Sequence, residues 1–345
     1  MRVNQNIGTK KRLASNLSIS GNRTLRSIFK FFSKSPYGKP VMFLIIFTVI
    51  CTAITPKFLS FANIKAVFIS ASPLMIIAVG EALVISTGMI DLGVESVAAS
   101  TGVLIAFLNI IMGMSTGVCI IIALLYGLLI GLFVGFLVTK VRIPSFVATL
   151  GTYWGLRGVG MLLGGGLPIG PSSVVPARPI GFSWIAGYLG KIPVMPLIAV
   201  SILLIFHFYV CQSQRGVHIY ATGGDEITAK NRGVKVNKIK IFVFAMSGVL
   251  AAIAGIMMAA WLNSGYAWSA QGYSLQAIAA VVLGGIPFTG GYGTIIGVGI
   301  GAIIIAMISD IITLVGISPL YNYIATAIIM VIAGSQIKKG GEVVK

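Results

Sequence analysis

Several acidic residues lie inside apolar stretches of this sequence, where a carboxylate is costly and therefore a candidate for function. Glu81 interrupts the run AVGEAL, and its carboxyl group could either relay protons or make a structural hydrogen bond to a polar neighbour. Asp91 follows Gly88, which is expected to break a helix, and is expected near the cytoplasmic interface, where it would either cap the next helix or accept backbone N–H groups. Asp310, in a later apolar stretch, is expected to contact a polar side chain.

Sequence motifs for nucleotide hydrolysis and metal binding are absent. No GxxxxGK[ST] occurs, so the chain has no phosphate-binding loop and is not expected to hydrolyse ATP alone. The only histidines, His207 and His218, and the three cysteines have no metal-ligand spacing. We therefore predict that this chain has no catalytic residue, no metal site and no cofactor of its own.

One polar stretch, residues 220–240, separates long apolar segments and reads YATGGDEITAKNRGVKVNKIK. It holds Asp225 and Glu226, followed by five basic residues. A polar stretch between two membrane-length segments must lie in water, and its excess of basic residues indicates the cytoplasm. By itself, this pattern is also that of an ordinary solvated loop between two spans.

The composition is that of a membrane protein. Of all residues, 57% are apolar and 9% are charged, whereas soluble domains have about 25% charged residues. Residues 241–309 contain no Asp, Glu, Lys, Arg or His, and one spanning helix needs only ~20 residues. The net charge of +18 would suggest nucleic acid in a soluble protein, but nine of the 25 basic residues lie within residues 1–39. We interpret this segment as a basic cytoplasmic arm that contacts anionic lipid, not nucleic acid.

The charge-poor segments predict an all-α, polytopic integral membrane protein with about ten transmembrane helices. Residues 40–337 would form the transmembrane domain, with a cytoplasmic loop at 212–240 and a cytoplasmic tail at 338–345. Basic clusters at 140–142, 215–240 and 338–339 separate groups of four, two and four spans. Each number is even, as it must be when these clusters and both termini are cytoplasmic. Residues 164–191 would then be the longest outer loop. The predicted spans are Pro40–Thr55, Pro73–Gly88, Ser96–Met114, Gly117–Thr139, Ser145–Leu163 and Pro193–Val210, with the others between Ile239 and Ile337.

The glycines indicate a possible two-fold internal repeat and close helix packing. A shift of 197 positions aligns Val84 with Val281, Gly88 with Gly285, Gly93 with Gly290, and Gly102 with Gly299. Each half would then contain a glycine-rich helix break with a role in gating, although coincidence is the alternative. Two sets of glycines also recur every four residues and would let backbones approach closely, favouring static packing over sliding during gating: Gly127, Gly131 and Gly135, and Gly293, Gly297 and Gly301.

Four motifs follow one another along the chain: TGMIDL at 87–92, IPSFVATLGT at 143–152 with RG at 157–158, the YATGGDE loop at 220–226, and GYSLQAIAAVVLGG at 272–285. Together they resemble the membrane permeases of bacterial ABC importers for ribose-type simple sugars. The pattern of that family usually has glycines where this chain has Met89 and Glu95. It often has acids where this chain has Ser274 and Gln276. The motifs come in the order of the family, and the resemblance covers roughly residues 61–334.

The resemblance implies a function and a set of partners. The chain would be the transmembrane subunit of an ATP-driven importer in the bacterial cytoplasmic (inner) membrane, and would form the pathway for a monosaccharide delivered by an extracytoplasmic binding protein. It would pair with a second permease subunit, as a homo- or heterodimer, and with an ATPase whose two nucleotide-binding halves hold ATP and Mg. That ATPase would bind a coupling helix in the cytoplasmic loop, where the family usually has Glu-Ala-Ala before a spaced glycine and this chain has Asp225, Glu226, Ile227, Thr228, Ala229 and Gly233.

A neutral sugar needs hydrogen-bonding and aromatic side chains, not charges, along its pathway. The candidates for lining it are Glu81, Phe146, Thr149, Tyr153, Asn263 and Tyr273, and those for helix breaks or gating are Gly88, Asp91, Gly285 and Gly290. Three alternatives stay open at this point. They are a proton-coupled secondary transporter that uses Glu81, an ABC permease for branched-chain amino acids, and a membrane scaffold without cargo.

Overall fold

The computed structural model describes residues 37–328 except 319, 323 and 326. Within these residues the chain is an all-α multi-pass membrane protein, apart from one very short hairpin. Six of its described helices are long and apolar enough to span a bilayer, and two shorter helices are also apolar. The predicted arm up to residue 36, most of the last predicted span and the 338–345 tail lie outside the described residues.

The described helices follow the predicted spans in order and are numbered here along the chain. Helices α3 and α4 continue into π-helical turns at Phe107–Ile111 and Leu137–Val141. The hairpin pairs β1 (Tyr188–Leu189) with β2 (Ile192–Pro193). The helices are α1 (Gly38–Ile54), α2 (Phe61–Ile85), α3 (Val94–Ala106), α4 (Thr116–Phe136), α5 (Ser145–Gly164), α6 (Val194–Gln212), α7 (Gln214–Gly224), α8 (Glu226–Asn231), α9 (Val236–Trp261), α10 (Tyr273–Leu283) and α11 (Ile295–Leu314).

The second span is longer than the hydropathy pattern predicts. Helix α2 begins at Phe61 and not at Pro73, because the Ser60 hydroxyl accepts the Asn63 N–H and caps the helix. Lys65 lies in the second turn of the helix, with its ammonium group 4.8 Å from the centre of the Phe61 ring. At its other end α2 stops at Ile85, so the prediction that the span reaches Gly88 was also too long.

Helices α2 and α9 form the centre of the bundle. Every residue from 71 to 85 in α2 is buried, and α9 packs against α2, α3 and α4. The contact of α4 with α9 depends on glycine, since a Cβ on Gly131 would lie 2.8 Å from the Ala245 Cα. The predicted glycine packing is thus present at α4. For the second set of glycines, Gly293, Gly297 and Gly301, the prediction is only partly right. Gly293 precedes α11, in a turn with φ +134°.

Because successive helices run in opposite directions, the chain turns at two ends of the bundle, which are named here the Asp225 end and the Arg178 end. At the Asp225 end, the Gly291 N–H donates to the Ser86 carbonyl oxygen at 3.1 Å. At the Arg178 end, the Gly181 N–H donates to Asn109 Oδ1 at 2.9 Å. The Asp225 end comprises residues 86–93, 140–144, 213–235 and 284–294, and the Arg178 end comprises residues 55–60, 112–115, 165–193 and 315–318.

Candidate coupling segment and translocation pathway

The polar stretch forms two short helices at the Asp225 end. The Ser213 hydroxyl accepts the Gly216 N–H at 3.1 Å and caps α7, while Asp225 ends α7 and caps α8. Gly233 follows α8 with φ +87°, a conformation that favours glycine, and no other atom lies within 4 Å of the place its side chain would occupy. The segment therefore turns twice, at residues whose types suit a cap and a left-handed turn.

Asp225 organises α8. Its carboxylate accepts the Ile227 N–H at 3.0 Å, the Thr228 N–H at 3.2 Å and the Thr228 hydroxyl at 2.5 Å. The bonds from Thr228 lower the pKa of Asp225, because they favour the ionised form. Ala229 is buried on the inner side of α8, whereas the Ile227 side chain is 74% exposed. Helix α8 thus presents an apolar side chain outward from a well-capped turn.

Glu226 connects α8 to the first turns of α9. Its carboxylate lies 2.8 Å from Lys240 Nζ, in an ion pair whose Glu226 side chain is half exposed. Exposed pairs of this kind contribute little to stability because water screens them. We expect the pair to orient α8 without holding it in place.

The inner surface of α7 contacts the segments that follow α2 and α10. The Tyr220 hydroxyl donates to the Gly293 carbonyl oxygen at 2.9 Å, and burial raises the pKa of Tyr220 to about 12, so this donor keeps its proton at neutral pH. Gly223 packs against backbone from both segments, since a Cβ there would overlap the Ser86 carbonyl oxygen and lie 2.8 Å from the Gly291 nitrogen. One turn of α7 therefore touches both segments.

Those two segments are helix breaks with similar backbone geometry. Helix α2 ends at Ile85 and Gly88 has φ +76°, while α10 ends at Leu283 and Gly285 has φ +92°. Gly290, with φ +72°, sits so close to the first break that a Cβ would lie 2.8 Å from the Gly88 nitrogen. Only a residue without a side chain allows the two breaks to meet in this way.

The acids of the first break are buried and make local hydrogen bonds. Glu81 is fully buried, and one of its oxygens accepts the Asp91 N–H at 3.1 Å. Asp91 accepts the Gly93 N–H at 2.9 Å, just before α3, and the Ser247 hydroxyl at 3.0 Å. These contacts tie the break to α2 and α9. Asp310 accepts the Asn63 amide at 2.8 Å, so its predicted polar neighbour is present.

The predicted pathway residues lie in several environments. Phe146 and Asn263 are exposed, Tyr153 and Tyr273 are partly buried, and Thr149 is buried with its hydroxyl donating to the Ser145 carbonyl oxygen at 2.9 Å. Tyr153 approaches the 262–272 segment through Arg157, whereas the backbone carbonyl oxygen of Thr149 lies close to Gly93, just before α3. An apolar groove between α4 and α5 includes none of the candidates.

One buried ion pair was missed at the sequence level. Arg157 and Glu95 lie 2.6 Å apart, and both side chains are almost completely buried. The available signal was an arginine within an otherwise apolar predicted span, together with an acid at a position where the ribose-type pattern has glycine. Neither charge by itself identified the other as its partner.

Comparison with known proteins adds independent evidence. The profile of the family described as "Branched-chain amino acid transport system / permease component" matches residues 63–334. The ribose import permease protein RbsC of Escherichia coli K12 is 35% identical over 298 residues, which cover 86% of this chain and 91% of that protein. RbsC of Haemophilus influenzae is 38% identical over 291 residues, covering 84% and 89% of the two chains.

A third relative has a different sugar in its name. The L-arabinose transport system permease protein AraH of Escherichia coli K12 is 33% identical over 321 residues, which cover 92% of this chain and 95% of that protein. No solved structure matches the chain at a significant level. With a family profile that spans most of its length and relatives of this similarity, the chain belongs to the permease component family of these transport systems.

Proposed function

We propose that this chain is the transmembrane subunit of an ATP-driven importer and forms the pathway along which a monosaccharide crosses the bacterial cytoplasmic membrane. A partner ATPase with two nucleotide-binding halves binds ATP and Mg and docks on α8. An extracytoplasmic binding protein delivers the sugar at the Arg178 end. A second permease subunit, identical or closely related, completes the pathway. The names of the ribose and L-arabinose relatives support a monosaccharide as cargo.

The contact of α7 with both helix breaks carries this proposal. Gly223 packs against Ser86 and Gly291, and Tyr220 donates a hydrogen bond to Gly293. A force applied to α8 therefore reaches both breaks through a single turn of α7. Because interfaces and packed cores are bistable, such a small displacement can switch the spans between two arrangements.

The distribution of basic residues supports a cytoplasmic Asp225 end, with both termini on the same side. Lysine and arginine are enriched in cytoplasmic loops. Among the described residues outside the bundle interior, the Asp225 end and the helix turns next to it carry Lys39, Lys140, Arg142, Arg215, Lys230, Arg232, Lys235, Lys238 and Lys240, and the Arg178 end and the helix turns next to it carry Lys57, Lys65, Arg178 and Lys191.

We also propose about ten spans and a parallel internal repeat. In support of the repeat, α2 and α10 run in the same direction, and each is followed by a left-handed glycine, Gly88 and Gly285, at the predicted shift of 197 positions. The helices after the breaks, α3 and α11, begin at different distances from these glycines. The symmetry is thus confined to the breaks and the helices before them.

The pathway residues that we propose lie on α5, on the 262–272 segment and at the start of α10. Phe146, Tyr153, Asn263 and Tyr273 supply aromatic and hydrogen-bonding groups without charge, as a neutral sugar requires. Thr149 is fully buried and its hydroxyl bonds within α5, so it reaches the pathway only if α5 rotates. No titration of a pathway residue is needed for such transport.

Two alternatives have less support. A proton relay through Glu81 requires access to water, but Glu81 is fully buried and bonded to Asp91. Import of branched-chain amino acids agrees with the printed family description, but the relatives compared above are named for ribose or arabinose. The sugar importer therefore remains the best-supported function.

The direct test is uptake by reconstituted components. The chain is inserted into proteoliposomes with an ABC ATPase and the matching binding protein, and uptake of labelled ribose, L-arabinose and leucine is measured. We expect uptake of a sugar only when the ATPase and internal ATP are both present. Uptake by the chain alone under a proton gradient, or ATP-driven uptake of leucine but not of either sugar, would contradict the proposal.

Asp225 offers a test of the docking helix. Replacing it with alanine removes three hydrogen bonds that start α8, so we expect uptake to fall about fivefold or more while insertion into the membrane is unaffected. Asp225→Asn and Asp225→Ser keep a capping oxygen without the charge, and both should retain most of the uptake. If these two variants fail as badly as Asp225→Ala, the charge of Asp225, and not its cap, is the essential feature.

A further inference from the structure

The ion pair between Glu95 and Arg157 is the buried member of the two ion pairs found among the described residues. It joins the first turn of α3 to the middle of α5. Isolated charges are very costly inside a membrane protein, and a buried pair depends on further hydrogen bonds, which here reach every side-chain nitrogen and oxygen of the two residues except Arg157 Nε. The contacts of both side chains therefore indicate what this pair holds together.

Arg157 links α5 to the segment that precedes α10. One terminal nitrogen donates to the Ala267 carbonyl oxygen at 2.5 Å, and the other donates to Glu95 at 2.6 Å and to the Tyr153 hydroxyl at 3.3 Å. The guanidinium carbon lies 5.0 Å from the centre of the Tyr153 ring and 4.6 Å from that of Trp268. Two aromatic rings and a backbone carbonyl thus hold the cation in a single orientation.

The second oxygen of Glu95 holds the start of α10. It accepts the Gly272 N–H at 3.0 Å and the Ser274 N–H at 3.3 Å, while the Ser274 hydroxyl donates to the Leu92 carbonyl oxygen at 2.9 Å. Gly272 has φ +86°, so the chain turns sharply just before the helix. One carboxylate therefore neutralises a cation on α5 and caps α10 from α3.

The opposite end of α10 is followed by the second helix break, which contacts α7. Beyond Leu283 the chain turns at Gly285, and Gly291 then contacts both Ser86 and Gly223. The helix between the two ends has 11 residues, about 16 Å at 1.5 Å per residue. It is a short rigid body with a left-handed glycine next to each end.

We propose that Glu95 is a positioning residue for transport. It holds the first residues of α10 against Arg157, while the last residues of α10 move with α7 and α8. A displacement at Gly291 then tilts α10 about the Glu95 junction and moves the residues near Tyr153 and Trp268. Without the carboxylate, Arg157 is left with an uncompensated buried charge and α10 loses its cap. This inference rests on the proposed import function only for the transport part of its test.

The geometry also permits the acid to come from position 274. The Ser274 N–H is already a partner of Glu95, and the Ser274 side chain points toward the start of α3. A glutamate at 274 can occupy the space that Glu95→Gly vacates.

The transport test compares four variants in the complete importer, with uptake expressed per folded permease. Glu95→Gln keeps the shape but not the charge, and Glu95→Gly removes both; each should lower the maximal uptake rate at least about tenfold, with ATP hydrolysis by the partner retained. Adding Ser274→Glu to Glu95→Gly should restore uptake to within about threefold of wild type. Asp310→Asn, which replaces another acid within the spans, is the matched control and should remain near wild type.

A second measurement does not depend on sugar import. Spin labels at the exposed positions Trp154 on α5 and Leu275 on α10, in a chain with its native cysteines replaced, report the distance between these helices. We expect Glu95→Gln to broaden the distance distribution and the double variant to narrow it again. An unchanged distribution in Glu95→Gln, or a double variant no better than Glu95→Gly, overturns the proposal. Failure of the wild-type importer to move sugar would refute the proposed function but leave the distance test decisive.

Discussion

The variant Gly223→Ala should reduce ATP-driven uptake to about 5% of the wild-type rate or less. A Cβ at this position would overlap the Ser86 carbonyl oxygen and lie 2.8 Å from the Gly291 nitrogen, so either α7 or a helix break must move. Both neighbours are backbone atoms and cannot adopt another rotamer. ATP hydrolysis by the partner should persist, because the outer surface of α8 is unchanged.

The neighbouring variant Gly224→Ala is the matched control. Its Cβ would lie 4.0 Å from the Gly291 Cα, an ordinary van der Waals contact. Alanine is more favourable than glycine in a helix by about 1 kcal/mol, so helix propensity alone predicts that neither substitution is harmful. Uptake and ATP hydrolysis, measured in the same proteoliposomes, show whether each variant loses transport while the ATPase stays active. Equal impairment of the two variants, or uptake by Gly223→Ala above half of the wild-type rate, would refute transmission through this contact.

The variant Gly131→Ala should strongly destabilise the permease. A Cβ at this position would overlap the Phe244 carbonyl oxygen and lie 2.8 Å from the Ala245 Cα, so α4 and α9 would have to separate. Overpacking of a core typically costs 1–3 kcal/mol, and a clash with backbone should reach about 3 kcal/mol or more. Thermal unfolding of the purified permease in detergent, with the yield of folded protein, measures this effect.

Gly117→Ala in the same helix is the control for this prediction. No atom lies within 4 Å of its Cβ position, so the substitution adds helix propensity without a clash. Its unfolding temperature should equal or exceed that of the wild type. If Gly131→Ala unfolds at the same temperature as Gly117→Ala, the close approach of α4 and α9 does not determine stability.

Hydropathy predicted most spans well because burial in lipid acts on each helix separately. The bounds of α4, α5 and α6 differ from the predictions by only a few residues. The largest error is at α2, which begins at Phe61 and not at Pro73 and which tolerates Lys65 because that charge lies near the end of the helix. The assignment of Gly293 to a helix failed because a repeat of four residues cannot reveal that Thr294 is the cap.

The pairing of charges could not be predicted in the same way. Glu95 and Arg157 are 62 positions apart, and Ser274 is a further 117 positions along the chain. Glu95 and Arg157 are single charges in charge-poor stretches, so local patterns show that each needs a partner without identifying which one. Likewise, nothing near Thr149 indicated that it would be buried and not exposed.

By itself, the sequence determined the membrane class, the order of the spans, the polar segment that holds Asp225, and the motifs of the family, because each depends on residues that are adjacent in the chain. Only the tertiary structure decided that one turn of α7 touches both helix breaks and that Glu95 joins α3, α5 and α10. These contacts connect distant segments whose approach is set by the packing of whole helices. Helix packing depends on the shapes of complete surfaces, which no local pattern of residue types specifies.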